Sequence, residues 1–196
     1  MALAIELFTE GSLNTFAKPT NVDTSSRILC YDIRDLGKQL QPVGMLVVLD
    51  SVFNRIIRNR KLGKSTWVYI DEIYLLFQHE YSANFLFTLW KRVRKYGACC
   101  TGLTQNVDDL LQSHTARTML ANSEFLVMLN QAATDRAELA NLLNISDNQL
   151  SYITNVDSGR GLIKCGSAIV PFMNSFPKNR LYQLMTTRPS ETMAAA

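Results

Sequence analysis

Two adjacent acids, Asp71-Glu72, follow four hydrophobic residues, Trp67-Val68-Tyr69-Ile70. Carboxylates placed this way can hold a divalent cation, since Mg²⁺ is commonly bound by one or two carboxylates with water and phosphate oxygens completing its shell. The second acid can polarise an attacking water. A short run of β-branched and aromatic residues reads as a buried strand of a parallel sheet. Open α/β sheets bind their ligands at the carboxyl ends of such strands. The plain alternative is a strand that ends in a polar loop. A second strand-like stretch, Ala98 to Leu103, ends in Thr104-Gln105-Asn106. A glutamine amide both donates and accepts, so Gln105 beside the acid pair is placed to meet a terminal phosphate or its attacking water. Its plain alternative is to cap the turn that follows.

The elements that must position these residues follow from periodicity. Pro42 suits a first helical turn, and Leu46, Leu49, Phe53, Ile56 and Ile57 recur at helical spacing until Gly63. Leu46 to Asp50 also reads as a strand with a terminal acid, but the periodicity continuing past Asp50 favours the helix. Ser82 can cap a helix to about Tyr96, with Leu86, Leu89, Trp90 and Val93 on one face and Lys91, Arg92, Arg94 and Lys95 on the other. Taken alone, those cations read as a snorkelling face on a packed helix. Gly97 stops this helix and closes a strand–helix–strand unit. Arg27 to Ile33, Glu124 to Leu129 and Arg180 to Met185 are further strand candidates. Asp108 and Thr115 can cap short helices, residues 134–144 are helical, and Ser146 with Gln149 forms a capping box. Gly159-Arg160-Gly161 opens a hairpin of Leu162 to Cys165 and Ala168 to Phe172, turning at Gly166-Ser167.

The acid pair has the form of a Walker B motif. No Walker A accompanies it: Gly63-Lys64-Ser65 lacks the glycine five positions earlier, where Arg58 stands, and it precedes a strand instead of opening a helix.

A chain of 196 residues is one domain, or one domain with an appendage, and long enough for a real core. Hydrophobic residues at 47% and charged residues at 19% exclude a disordered chain. The net charge of +3 does not by itself argue for nucleic acid, and the basic run Arg55, Arg58, Arg60, Lys61, Lys64 reads as a solvated helix end. The four cysteines lack metal-ligand spacing. Three of them lie in apolar strand-like stretches, where free Cys is expected to pack as a small hydrophobe, which suits a reducing cytoplasm. No apolar run is expected to reach the length of a membrane span, and no signal-peptide pattern is present.

The motif order is more specific than any single piece. Asp71-Glu72 comes first, then Lys91-Arg92-Val93-Arg94-Lys95-Tyr96-Gly97, then Thr104-Gln105-Asn106-Val107-Asp108-Asp109-Leu110-Leu111. This order, with Thr118 to Ser123 and Gly159 to Ile163, resembles the traffic ATPases of conjugative type IV secretion systems (VirB/TraC/TraE-type) from about Gly11 to Arg188. The resemblance implies a RecA-like α/β core of three layers with a mostly parallel sheet, truncated at its N-terminus and followed by a C-terminal β-hairpin. It implies ATP with Mg²⁺, and a ring, a hexamer, at the cytoplasmic face of the membrane, held there through other secretion components, with DNA as a further partner. By the same resemblance Asp71 holds the metal, Glu72 is the second Walker B acid and Gln105 senses the γ-phosphate. Arg92, Arg94 and Lys95 match the basic motif that reaches a neighbouring subunit's site, and Arg160 falls among the nucleotide-binding positions. Residues 1–24 are expected to be the tail of an upstream helical region, 25–190 the core fragment and 191–196 a disordered tail. The family carries its P-loop upstream, so the expectation is a fragment, inactive alone. Two other readings share the same residues: a non-catalytic RecA-like interaction module, and a fragment of a DNA translocase of the HerA/FtsK type.

Overall fold

The computed structural model describes residues 6, 8–11, 13–105 and 107–186. The chain divides into two compact units, Met1–Thr104 and Gln105–Ala196. The expected tail at 191–196 and most of the apolar segment at Met1 to Phe8 lie outside the described residues.

In the first unit a long helix, α1 (Gly37–Lys61), leads through Gly63 into strand β1 (Thr66–Ile70). Helix α2 (Glu80–Arg92) and a 3₁₀ turn (Val93–Tyr96) cross over to β2 (Ala98–Gly102). The strands are parallel, in register from Thr66↔Ala98 to Ile70↔Gly102. Parallel neighbours require such a crossover, and Gly97 makes the final reversal at φ +66°, a conformation that glycine adopts without strain. One face of the sheet is covered by α1 and α2: Ile56, Leu89, Val93 and Ala98 form the buried cluster, with Phe53, Val68, Phe85 and Cys100 packed against it. Phe53 meets the rings of Phe85 and Tyr96 edge-on at 6.1 and 5.7 Å.

Among the described residues of the first unit nothing covers the other face. Trp67 and Tyr69 are 65% and 67% exposed, and Cys99 and Thr101 opposite them are exposed too. β1 is therefore half-covered, where its continuous hydrophobic run suggests burial on both sides. The cysteines depart from expectation similarly: Cys30, Cys99 and Cys165 are exposed, and Cys100 alone turns inward. Burial pushes the Cys100 thiol up to about 12.

Other local expectations are corrected. Arg27 to Ile33 forms no strand. Asp32 instead accepts from the backbone N–H of Arg34 (3.1 Å) and from its guanidinium, and Ile28 is largely exposed. Such local side-chain bonds compete with sheet pairing. Pro42 lies inside α1, since the helix starts five residues earlier. Residues 34–61 do reach the length and apolar composition of a membrane span. Met45, Leu49 and Ile56 of that helix are buried within the protein, and Ile56 belongs to the core of the first unit. Ser82 does not cap α2 from outside; it is buried, and its hydroxyl faces the carbonyl oxygens of Leu76 (2.5 Å) and His79 (3.0 Å).

The second unit carries α3 (Val107–Gln112), α4 (His114–Ala121), β3 (Phe125–Met128), α5 (Ala133–Leu143), α6 (Asp147–Leu150), β4 (Arg160–Cys165), β5 (Ala168–Met173) and α7 (Arg180–Met185). The three strands form an antiparallel sheet in the order β3-β4-β5. The β4–β5 hairpin stands where it was expected. Val107, Leu111, Met128, Leu139, Leu143, Ile145, Ile153 and Leu162 make the core. Ser146 and Gln149 form the expected reciprocal capping box. Ser113, not Thr115, caps α4. Arg180–Met185 is a helix and not a strand: Leu181, Leu184 and Met185 repeat at helical spacing, and Asn179 caps it by accepting from the N–H of Tyr182 at 3.1 Å.

Candidate functional site

The acid pair forms a tight turn at the carboxyl end of β1. Leu103, the residue after β2, clamps that turn on both sides. Its N–H donates to the Ile70 carbonyl (2.8 Å), and its own carbonyl accepts from Ile73 N–H (2.9 Å). Between these bonds the chain must reverse into the 3₁₀ helix Ile73–Phe77, and Glu72 does so with left-handed φ 47°, ψ 48°. Gly102 permits the close fit, because a Cβ there would lie 2.6 Å from Ile73 Cδ1. Ile73 is buried.

Left-handed backbone costs an ordinary L-residue roughly 1–2 kcal/mol. The Glu72 side chain adds a second penalty: its Oε2 is buried without a hydrogen-bond partner. Strain of this kind persists where the surrounding structure over-determines it, and it clusters at functional sites. Asp71 is exposed, and its Oδ1 accepts from the N–H of Glu72 at 3.0 Å. One turn thus presents an open carboxylate and a held, unsatisfied one. Among the described residues no three His, Cys, Asp or Glu side chains gather as a metal cage. Mg²⁺ does not need one when phosphate oxygens and water fill the remaining positions, so Asp71 fits that ion and the orphaned Glu72 oxygen fits a polar partner such as water.

Arg92, Arg94 and Lys95 lie elsewhere. They precede Gly97, whose carbonyl accepts from Thr66 N–H at the amino end of the sheet. Thr66 to Asp71 is five strand steps, about 16 Å at the usual rise. The structure therefore does not bring these cations to the acid pair within one chain. It brings them instead to the basic end of α1, where the Arg60 guanidinium lies 5.2 Å from the centre of the Tyr96 ring. In sequence alone Arg58, Arg60, Lys61 and Lys64 look like a solvated helix end. A signal was present: no Asp or Glu occurs in residues 51–70 or 81–107, which hold all these cations. Lys91 lies over the Phe87 ring, its Nζ 3.9 Å from the centroid.

Gln105 is exposed and is the first residue of the second unit, and Asn106 lies outside the described residues. Arg160 is exposed at the start of β4, 3.6 Å from Asp157, and lines a shallow cleft of about 570 Å³ with Tyr152, Pro171 and Phe172. The flanking glycines have structural reasons. Gly159 turns at φ +85°, and a Cβ on Gly161 would strike the Met128 carbonyl oxygen.

A model of the TraG P-loop domain family matches residues 20–163. Among solved structures the chain is similar to VirB4 of Thermoanaerobacter pseudethanolicus, with a TM-score of 0.79 and 24% identity over 92% of this chain and 50% of that one. It thus spans about half the length of the VirB4 chain and shares its α/β fold. No curated protein sequence matches. The chain belongs to the TraG P-loop domain family, and the resemblance to type IV secretion traffic ATPases that its motif order carries is borne out.

Proposed function

We propose that the chain supplies the Walker B and sensor half of an ATP-hydrolysing motor that energises type IV secretion and conjugative transfer. The observation that carries this reading is Glu72: a strained, half-buried carboxylate with an orphaned oxygen, held beside the exposed Asp71 at the carboxyl end of a parallel strand. Asp71 would hold Mg²⁺, which neutralises developing phosphate charge when bound. Glu72 orients and polarises the attacking water. Gln105 reports the γ-phosphate, and Arg160 contributes to nucleotide binding. Arg92, Arg94 and Lys95 serve a neighbouring subunit in a ring, a hexamer, and their place at the sheet end remote from the acid pair supports action in trans. The assembly works at the cytoplasmic face of the membrane, associated with it through other secretion components, with DNA a further partner.

The 196 residues contain no GxxxxGK[ST] cradle. Positioning of the phosphates depends on that loop, so ATP turnover by the isolated chain is expected to be negligible. Joined to a segment that carries the loop, the chain should bind and hydrolyse ATP, and Glu72→Gln should keep binding while reducing turnover by at least about 10²-fold. Steady turnover by the isolated chain, abolished by Asp71→Ala, overturns the half-site reading. The same missing cradle favours a second reading, a non-catalytic RecA-like module that binds partner subunits. On that reading the joined protein binds no ATP.

A further inference from the structure

The amino end of the β1–β2 sheet gathers more positive charge than its architecture needs. Arg58, Arg60 and Lys61 occupy the last turn of α1, and Lys64 follows it. Arg92 ends α2, and Arg94 and Lys95 lie in the 3₁₀ turn after it. All seven are exposed. The two helix ends meet through Arg60 on the Tyr96 ring and through Thr66 N–H, which donates to the Gly97 carbonyl (3.3 Å). Cations do favour helix C-termini, but that effect fades within the last turn, and Lys64, Arg94 and Lys95 lie beyond it. No ion pair among the described residues engages any of the seven. The whole chain carries only +3, so the rest of it is net negative and the positive charge is segregated here. In the turn between α1 and β1 stands an apolar side chain, Leu62, 58% exposed between Lys61 and Lys64. The turn is held in place by its own bonds. The N–H groups of Leu62 and Lys64 both donate to the Asn59 carbonyl (3.0 and 2.9 Å), and Asn59 Nδ2 donates to Thr66 Oγ1 (2.9 Å).

We propose that this turn docks directly on an anionic membrane surface, with Arg58, Arg60, Lys61 and Lys64 meeting lipid phosphates and Leu62 entering the acyl boundary. Arg92, Arg94 and Lys95 extend the same positive field. Cations around an exposed apolar residue combine the two sources of interfacial binding, attraction to anionic headgroups and burial of apolar surface. A single-stranded nucleic acid fits less well, since its bases stack on free aromatic faces. The ring among these cations, Tyr96, is covered by Arg60 and meets Phe53 edge-on. Such docking needs no nucleotide, and it adds a direct contact to the association proposed through other secretion components.

The test is flotation of the 196-residue chain with phosphatidylcholine vesicles that contain phosphatidylglycerol, and with vesicles of phosphatidylcholine alone. Binding should be at least about tenfold stronger to the anionic vesicles and should fall as salt is raised, because exposed charges are screened. Arg58→Gln with Lys61→Gln and Lys64→Gln should weaken it at least about thirtyfold, each cation near such a surface being worth about fivefold. Arg60 is left in place because it covers Tyr96. Leu62→Ser should weaken binding at least about threefold through lost apolar burial. The substituted side chains are exposed, so both variants should keep their helical circular dichroism. If the triple variant does not fold, Lys61→Gln with Lys64→Gln carries the test, with a loss of at least about tenfold. Equal binding to both kinds of vesicle, no binding to the anionic ones, or unchanged binding by either variant overturns the inference. So does capture of an oligothymidylate by these cations without vesicle binding, which assigns the surface to nucleic acid. Release from vesicles by inorganic phosphate at matched ionic strength also overturns it, since the site then takes a discrete anion.

Discussion

Replacing Glu72 with glycine should stabilise the protein while removing the acid that the proposed chemistry needs. The left-handed backbone at Glu72 (φ 47°) costs roughly 1–2 kcal/mol for an L-residue, and glycine removes that cost. The buried Oε2 has no partner, and an unsatisfied buried polar group costs about 1–3 kcal/mol. Against these gains stand the extra chain entropy of glycine, about 0.5–1 kcal/mol, and the lost burial of the side-chain stem, up to about 0.8 kcal/mol per methylene. The balance is about 2 kcal/mol in favour of the variant. The assay is urea unfolding followed by tryptophan emission, since both tryptophans, Trp67 and Trp90, lie in the first unit. With a slope of roughly 1–3 kcal/mol per molar urea, the midpoint should rise by about 1 M. Glu72→Gln keeps the left-handed residue and so should gain less than Glu72→Gly. A midpoint that falls, or does not move, in Glu72→Gly refutes the argument that the site stores strain, because Glu72 is then an ordinary structural residue. Gains of this kind are common where a natural site trades stability for function.

Three further outcomes are expected. Gln105→Ala in the loop-bearing protein should leave stability and ATP affinity near normal while sharply reducing turnover; a loss of about 1 kcal/mol of stability with turnover per folded molecule unchanged would identify Gln105 as a cap. In rings that mix Glu72→Gln subunits with subunits neutralised at Arg92, Arg94 and Lys95, activity should depend on which subunits are adjacent, an arginine finger being worth roughly 10³–10⁵-fold; activity that tracks only the wild-type fraction argues against a role in trans. The Cys100 thiol, raised by burial from about 9 to about 12, disfavours ionisation in the folded state, so its contribution to stability is complete below pH 9 and lost as pH rises toward 12. Cys100→Ser should flatten that alkaline decline, and a decline of unchanged steepness shows that the thiol does not set it.

Much of the local structure was legible along the chain because short-range physics decides it. The helical repeat through Leu49, Phe53 and Ile56, the stop at Gly97, the Ser146–Gln149 box and the β4–β5 hairpin depend on neighbours a few residues apart, and all are present. The position of the acid pair at a strand's carboxyl end was equally readable, since a hydrophobic run followed by two acids admits few other arrangements. Errors came where the deciding partner was local but unremarked, as with Asp32 and Arg34 in place of a strand, or Asn179 capping Arg180–Met185.

Only the tertiary structure decided the rest. Glu72 owes its strain to Leu103, thirty-one residues away, whose two hydrogen bonds fix the turn, and to Gly102, which lets Ile73 lie close. No pattern around Asp71-Glu72 encodes that clamp. The convergence of the α1 cations with Arg92, Arg94 and Lys95 follows from parallel register, which sets both helix ends at the amino edge of one sheet. The bare face of Trp67 and Tyr69 was hidden for the opposite reason: a hydrophobic run records what a strand is built to bury, and only the fold shows which side of it the chain's own helices cover.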